Sequence, residues 1–168
     1  MGFDSLEAVF SEQVNDLRSA EEQLIEALPK MAAAASSAEL RKAFEEHLAQ
    51  TRGHLERLDD VIASTGLSRT GEVCDGMRGL IKEGSKVIGQ GGDPAAMDAA
   101  LIAAAQRVEH YEIAGYGTAA TLAQQLGHDH AQEILGQTLD EEETTDKQLT
   151  KLATGGMFKA GINKQAVR

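Results

Sequence analysis

Tryptophan is absent from this 168-residue chain, and aromatic residues make up only 4% of it although hydrophobic residues make up 42%. The apolar content is therefore mostly small and aliphatic, which suits close-packed helices and serves a β-sandwich poorly. A single cysteine, Cys74, has no partner for an internal disulfide, and without a CxxC pair there is no thiolate set for structural zinc or redox exchange. Positive charge is scarce as well: 16 Lys and Arg stand against 27 Asp and Glu, a formal net charge of −11. That balance repels phosphate backbones and anionic membrane surfaces, and no Lys/Arg-rich run offers a local exception. No stretch approaches the about 18 apolar residues of a membrane span, and residues 1–7, MGFDSLE, lack a basic segment followed by an apolar one. The expected setting is cytoplasmic, with neither nucleic acid nor membrane as partner.

What is present is helical periodicity. Asp4 or Ser5 offers an N-cap, and Phe10, Val14, Leu17, Leu24 and Leu28 follow at spacings of three, four and seven. Pro29 is expected to kink or end this helix, although residues 30–35 are good helix formers. After Ser36 and Ser37 a second helix is predicted over 38–64, striped by Leu40, Phe44, Leu48, Leu55, Leu58 and Ile62 and closed by Gly66. Glycines then cluster as far as Gly92 around a shorter helix at 73–89, which reads as a crossover. Asp93 and Pro94 supply a cap and a first-turn proline for a third long helix ending at Gly127. A fourth is predicted over 129–153, and 157–168 read as a loose tail behind a single domain over 1–156. Two antiparallel helical hairpins joined by a long crossover give an all-α fold with the connectivity of ferritin-like four-helix bundles. On this pattern alone, an ordinary bundle without a cofactor fits equally well.

The polar residues in the seams separate these readings. The first stripe passes through Glu21; the second carries His47, Thr51 and His54, with Gln50 at its flank. The third holds Glu109 and Glu112 on one face, and the fourth offers Glu142, Glu143 and Asp146 on or beside the stripe. Taken singly, each has a plainer reading as a stripe-edge or solvated residue. Together they place ionisable groups at mid-length on every long helix, where antiparallel partners meet at one level. Carboxylates converging in an apolar interior repel one another unless they take up protons or meet cations. Two divalent ions held by carboxylates and one or two imidazoles meet that requirement, and oxygen-rich ligation suits iron or manganese.

The strings SAEEQLIEALPKM (19–31), AFEEHLAQTRGHLERLD (43–59), ALIAAAQRVEHYEIAGYGTAATLAQQLG (100–127) and LDEEETTDKQLTKLA (139–153) resemble the YciF/YciE-type bacterial stress proteins of the ferritin-like superfamily, over residues 3–153. The resemblance implies a di-iron centre, a homodimer and a link to stress responses. Carried over by position, it implicates Glu21, Glu109, Glu112, and Glu142 or Glu143 with Asp146. In the second helix Gln50 stands near an expected carboxylate ligand, one turn before His54, a departure that weakens the first metal site. The expected activity is Fe(II) chemistry with O2 or peroxide, as a ferroxidase or peroxide scavenger. In it Glu21 and Glu112 are terminal ligands, Glu142 or Glu143 bridges, His54 donates nitrogen, and Tyr111 or Tyr116 supplies a hydrogen bond or an electron. The alternatives are a non-enzymatic bundle with a structural or vestigial metal site, and iron storage in a many-subunit shell.

Overall fold

The computed structural model describes residues 3–156 and 159–167. Four long helices, α1 (Leu6–Ala34), α2 (Ala38–Thr65), α4 (Pro94–Gln125) and α5 (Asp129–Thr154), form the bundle, and α3 (Asp75–Gln90) lies in the crossover. A hairpin of β1 (Gly155–Gly156) and β2 (Lys159–Ala160) and a single turn, α6 (Ile162–Gln165), follow. The expected all-α, ferritin-like bundle of two hairpins is the observed one: α1 packs on α2, α4 on α5, and α2·α5 and α1·α4 contacts close the bundle.

Local signals fix the helix ends. Ser5 Oγ accepts from the Ala8 amide at 3.2 Å, and Ser37 Oγ from that of Leu40 at 3.3 Å. Asp93 Oδ1 accepts from the amides of Ala95 and Ala96, with Pro94 in the first turn. Gly66 ends α2 at φ 71°, a left-handed conformation that a side chain would strain. Buried Asp98 accepts from the amides of Ser36 and Ser37 at 2.8 and 2.7 Å, tying the α1–α2 turn to α4.

Two expectations change. Pro29 neither ends nor divides α1, which continues to Ala34; the proline is exposed, so the lost backbone bond falls on the solvent side. The tail expected over 157–168 instead folds back where it is described: Ile162 is buried, and α6 packs against α4 and α5. The part of that expectation falling on 157, 158 and 168 lies outside the described residues.

The apolar core falls into two clusters. One contains Phe10, Val14, Leu17, Leu58, Tyr116 and Leu135, and the other Ala20, Leu24, Phe44, Leu101, Val108 and Leu149. Along each long helix the chain passes from one cluster to the other across a polar interval: Glu21 on α1, His47 to His54 on α2, Glu109 and Glu112 on α4, and Glu142 on α5. The break in the core is the site.

Candidate metal centre

Glu21, His54, Glu112 and Glu142 are completely buried, and His47 and Glu109 are 3% and 2% exposed. They form two groups whose nearest donor atoms all lie within 4.8 Å of one another: His47, Glu109, Glu112 and Glu142, and then Glu21, His54 and Glu142. Glu142 belongs to both. The inventory of four carboxylates and two imidazoles equals that of the di-iron carboxylate bundles, but both imidazoles here come from α2 and two carboxylates from α4.

Burial raises the Glu109 and Glu112 carboxyls well above the usual carboxylate range, and the neighbouring acids, Glu142 foremost for Glu109 and Glu21 for Glu112, push the same way. Burial also raises Glu21, against the pull of His54. For Glu142 burial acts upward too, but the neighbouring His54 imidazole and the charge of His47 outweigh it and leave this carboxyl low. Burial would lower the His54 imidazole; Glu142 and Glu21 beside Nδ1, at 3.0 and 3.3 Å, overcome that and hold it up to about 10. Without cations, then, Glu142 and the His54 imidazole favour each other's charged forms, while burial and mutual repulsion favour the protonated forms of Glu21, Glu109 and Glu112.

Both oxygens of Glu112 and of Glu142, one each of Glu21 and Glu109, and His54 Nδ1 and His47 Nε2 are buried without a hydrogen-bond partner. Such concentrated unsatisfied polarity is costly in an interior where nearly all polar groups find partners. A cation-binding cluster accounts for it, and the oxygen-rich donor set with minority nitrogen and no thiolate fits iron or manganese.

Outer partners aim both imidazoles. His54 Nε2 faces Glu141 Oε2 at 2.8 Å, and Arg57 grips Glu141 with two bonds of 3.0 and 2.7 Å. The Arg57 guanidinium, followed by His54, holds the Glu141 carboxyl below its ordinary value. The Nε2 proton is thereby held outward and Nδ1 directed at the cluster, the carboxylate–histidine arrangement of metal sites. His47 turns Nε2 inward, 3.4 Å from Glu109 and 3.8 Å from Glu142, while Nδ1 meets Gln50 Oε1 and Thr145 Oγ1, both at 3.4 Å. The Tyr116 hydroxyl donates to Glu21 Oε1, and its ring stands edge-on to His54.

Five of the residues singled out from the sequence therefore meet: Glu21, His54, Glu109, Glu112 and Glu142. Three do not join either group. Gln50 holds the outer face of His47 instead of standing inside. Glu143 points away and pairs with Lys147 at 3.1 Å. Asp146 accepts from Gln106 at 3.0 Å at the bundle surface. The expected weakness at Gln50 is thus met by His47, a seam residue recognised in the sequence but not assigned as a ligand. Glu141 was missed, because its partners Arg57 and His54 lie on another helix. Tyr111, the other tyrosine considered, turns away from the cluster and donates to Asp16 Oδ2 at 2.7 Å, beside Cys74 Sγ at 3.0 Å.

The profile of a family described as a domain of unknown function (DUF892) matches residues 5–166. Over 165 residues, 98% of this chain and 99% of its counterpart, the sequence is 47% identical to protein YciF of Escherichia coli strain K12. The crystal structure of the E. coli stress protein YciF superposes with a TM-score of 0.87 at 49% identity, covering 89% of this chain and 94% of that one. A dodecameric thioferritin, the bacterioferritin-related protein from Bacteroides fragilis, superposes with a TM-score of 0.64 over 88% of this chain and 84% of that one; at 16% identity it shows the ferritin-like architecture alone. No helix among the described residues is long and apolar enough to cross a membrane.

Proposed function

This chain belongs to the DUF892 family, and from that premise we propose that it is a ferritin-like protein that binds two iron ions in the bundle interior and oxidises Fe(II) with O2 or peroxide as part of a stress response. The observation that carries the reading is the set of inward carboxylate and imidazole atoms without hydrogen-bond partners, grouped in two sets that share Glu142. His47, Glu109 and Glu112 would hold one ion, Glu21 and His54 the other, with Glu142 between them; manganese would be accepted by the same donors. When bound, the metal pair supplies the electrons that reduce the oxidant.

The chain's own residues prepare that chemistry. Glu141 and Arg57 fix the His54 tautomer, Gln50 and Thr145 steady His47, and Tyr116 holds a proton against Glu21. The two apolar clusters exclude bulk water from either end. A homodimer, which the family resemblance implies, and a cytoplasmic setting, which the unpaired thiol of Cys74 suits, belong to the same reading.

Anaerobic Fe(II) titration of chelator-treated protein, followed by stopped-flow oxidation, tests it. Two equivalents per chain and oxidation well above the buffer rate are expected, with Glu142→Ala losing both ions. Binding of no iron or manganese overturns the metal reading. Tight binding with oxidation no faster than in buffer leaves a structural metal staple, and light scattering that gives many subunits favours storage over a dimer.

A further inference from the structure

The helix in the crossover does not close completely on the bundle. Gly84, in the middle of α3, is buried, and a Cβ there would find only Met31 Sδ at 3.8 Å and Ala104 Cβ at 4.0 Å. The missing side chain, together with the methyl groups of the facing alanines on α4, leaves a cavity of about 40 Å³ between α1, α3 and α4. Leu28, Ile81 and Val108 are among its walls, and the exposed Lys30 and Ser85 border its outer end. Glu109 also lines it, and Glu109 Oε2 is one of the buried oxygens without a hydrogen-bond partner. Glu109 Oε1 lies 3.4 Å from His47 Nε2. An apolar wall therefore runs from the surface beside α3 to Glu109, a residue of the cluster.

This lining is selective. A water inside needs two to four polar partners, which the apolar walls between the cavity's mouth and Glu109 do not supply, whereas small apolar guests need none. Hydrogen peroxide has the same demand for partners as water, and between Lys30 and Ser85 at one end and Glu109 at the other no side chain offers a charge. We propose that this cavity is the entry path for dioxygen to the Glu109 side of the centre, making dioxygen rather than hydrogen peroxide the oxidant it admits. The inference rests on the reading of the cluster as an oxidising metal site, but occupancy of the cavity is measurable without metal.

Crystals of the metal-free protein pressurised with xenon test the path directly. A xenon site among Leu28, Ile81, Gly84 and Val108 is expected, lost in Gly84→Leu, whose side chain fills the space, and strengthened in Ile81→Ala, which enlarges it. In iron-loaded protein, Gly84→Leu should slow oxidation by dioxygen about tenfold while leaving Fe(II) stoichiometry and oxidation by hydrogen peroxide unchanged, since access alone is altered. No xenon in either the wild type or Ile81→Ala overturns the path, as does equal slowing with both oxidants or no slowing by a folded Gly84→Leu. Failure of the protein to bind iron while xenon binds overturns the function proposed above and not the cavity, so the two failures are distinct.

Discussion

Glu112→Leu should make the metal-free protein more stable and at the same time remove its response to metal. The Glu112 side chain is fully buried, and neither carboxylate oxygen has a hydrogen-bond partner. Burial and the neighbouring Glu21 and Glu142 raise its carboxyl well above the usual carboxylate range, so the metal-free protein bears the desolvation of a polar group among like charges. A buried polar group left unsatisfied costs about 1–3 kcal/mol. Leucine has similar volume and fills the space with no polar atom, so a gain of about 2 kcal/mol is expected, in line with the behaviour of buried charges replaced by apolar side chains. For a domain of this size that corresponds to a rise of about 4–8 °C in Tm. Calorimetry of both proteins in chelator, repeated with Mn(II) as a redox-silent probe, reads both effects. Wild type at a hundredfold excess over Kd should gain about 2.7 kcal/mol, and the variant much less. A metal-free Glu112→Leu that is less stable than wild type would refute the reasoning, because it would mean that Glu112 is satisfied or hydrated in a way inconsistent with its burial.

Gln50→Leu should weaken one of the two metal equivalents by about 10- to 100-fold by freeing the outer face of His47, and isothermal titration would show it; loss of neither, or of both, contradicts the assignment. Glu141→Gln keeps the size of the side chain that receives His54 Nε2 but weakens its hold on Arg57, so the other equivalent should suffer. Metal-free stability should decline as pH rises from about 5 to 8. Glu21, Glu109 and Glu112 have folded values above their unfolded ones, so their contribution is lost upward from the usual carboxylate range, and His54, held up to about 10, contributes fully below its unfolded value and loses that contribution in the same direction. Glu141 and Glu142 are held low and lose their contribution only in more acidic solution, which sets a maximum near the acid end of that window. Urea midpoints in chelator measure the slope; metal-loaded protein should show the opposite slope, since binding displaces the protons.

Most of the bundle is legible locally. Ser37, Gly66, Asp93 and Pro94 act through their own backbone neighbours, so the expected boundaries of α2 and α4 agree with the structure to within a residue or two. Pro29 misleads because its cost depends on which side of α1 faces water, a property of the packed bundle. The site divides in the same manner. Glu21, Glu109 and Glu112 interrupt stripes of apolar residues, and periodicity alone shows where an acid stands in place of a hydrophobe. Choosing Glu142 over Glu143 turns on one step of about 100° around α5, and only the position of α2 tells which of the two faces inward.

The sequence by itself determined the helical class, the two hairpins, the crossover and the presence of ionisable groups in all four seams, because helical periodicity and capping are carried within short segments. The tertiary structure alone decided that His47 and not Gln50 stands inside, that Glu142 is shared by both groups, that Glu141 and Arg57 aim His54, and that Gly84 leaves an apolar path to Glu109. Each of these depends on the relative rotation and height of two or more helices. That rotation and height are set by how the two apolar clusters pack above and below the site, a property of the whole bundle that no single segment of the sequence contains.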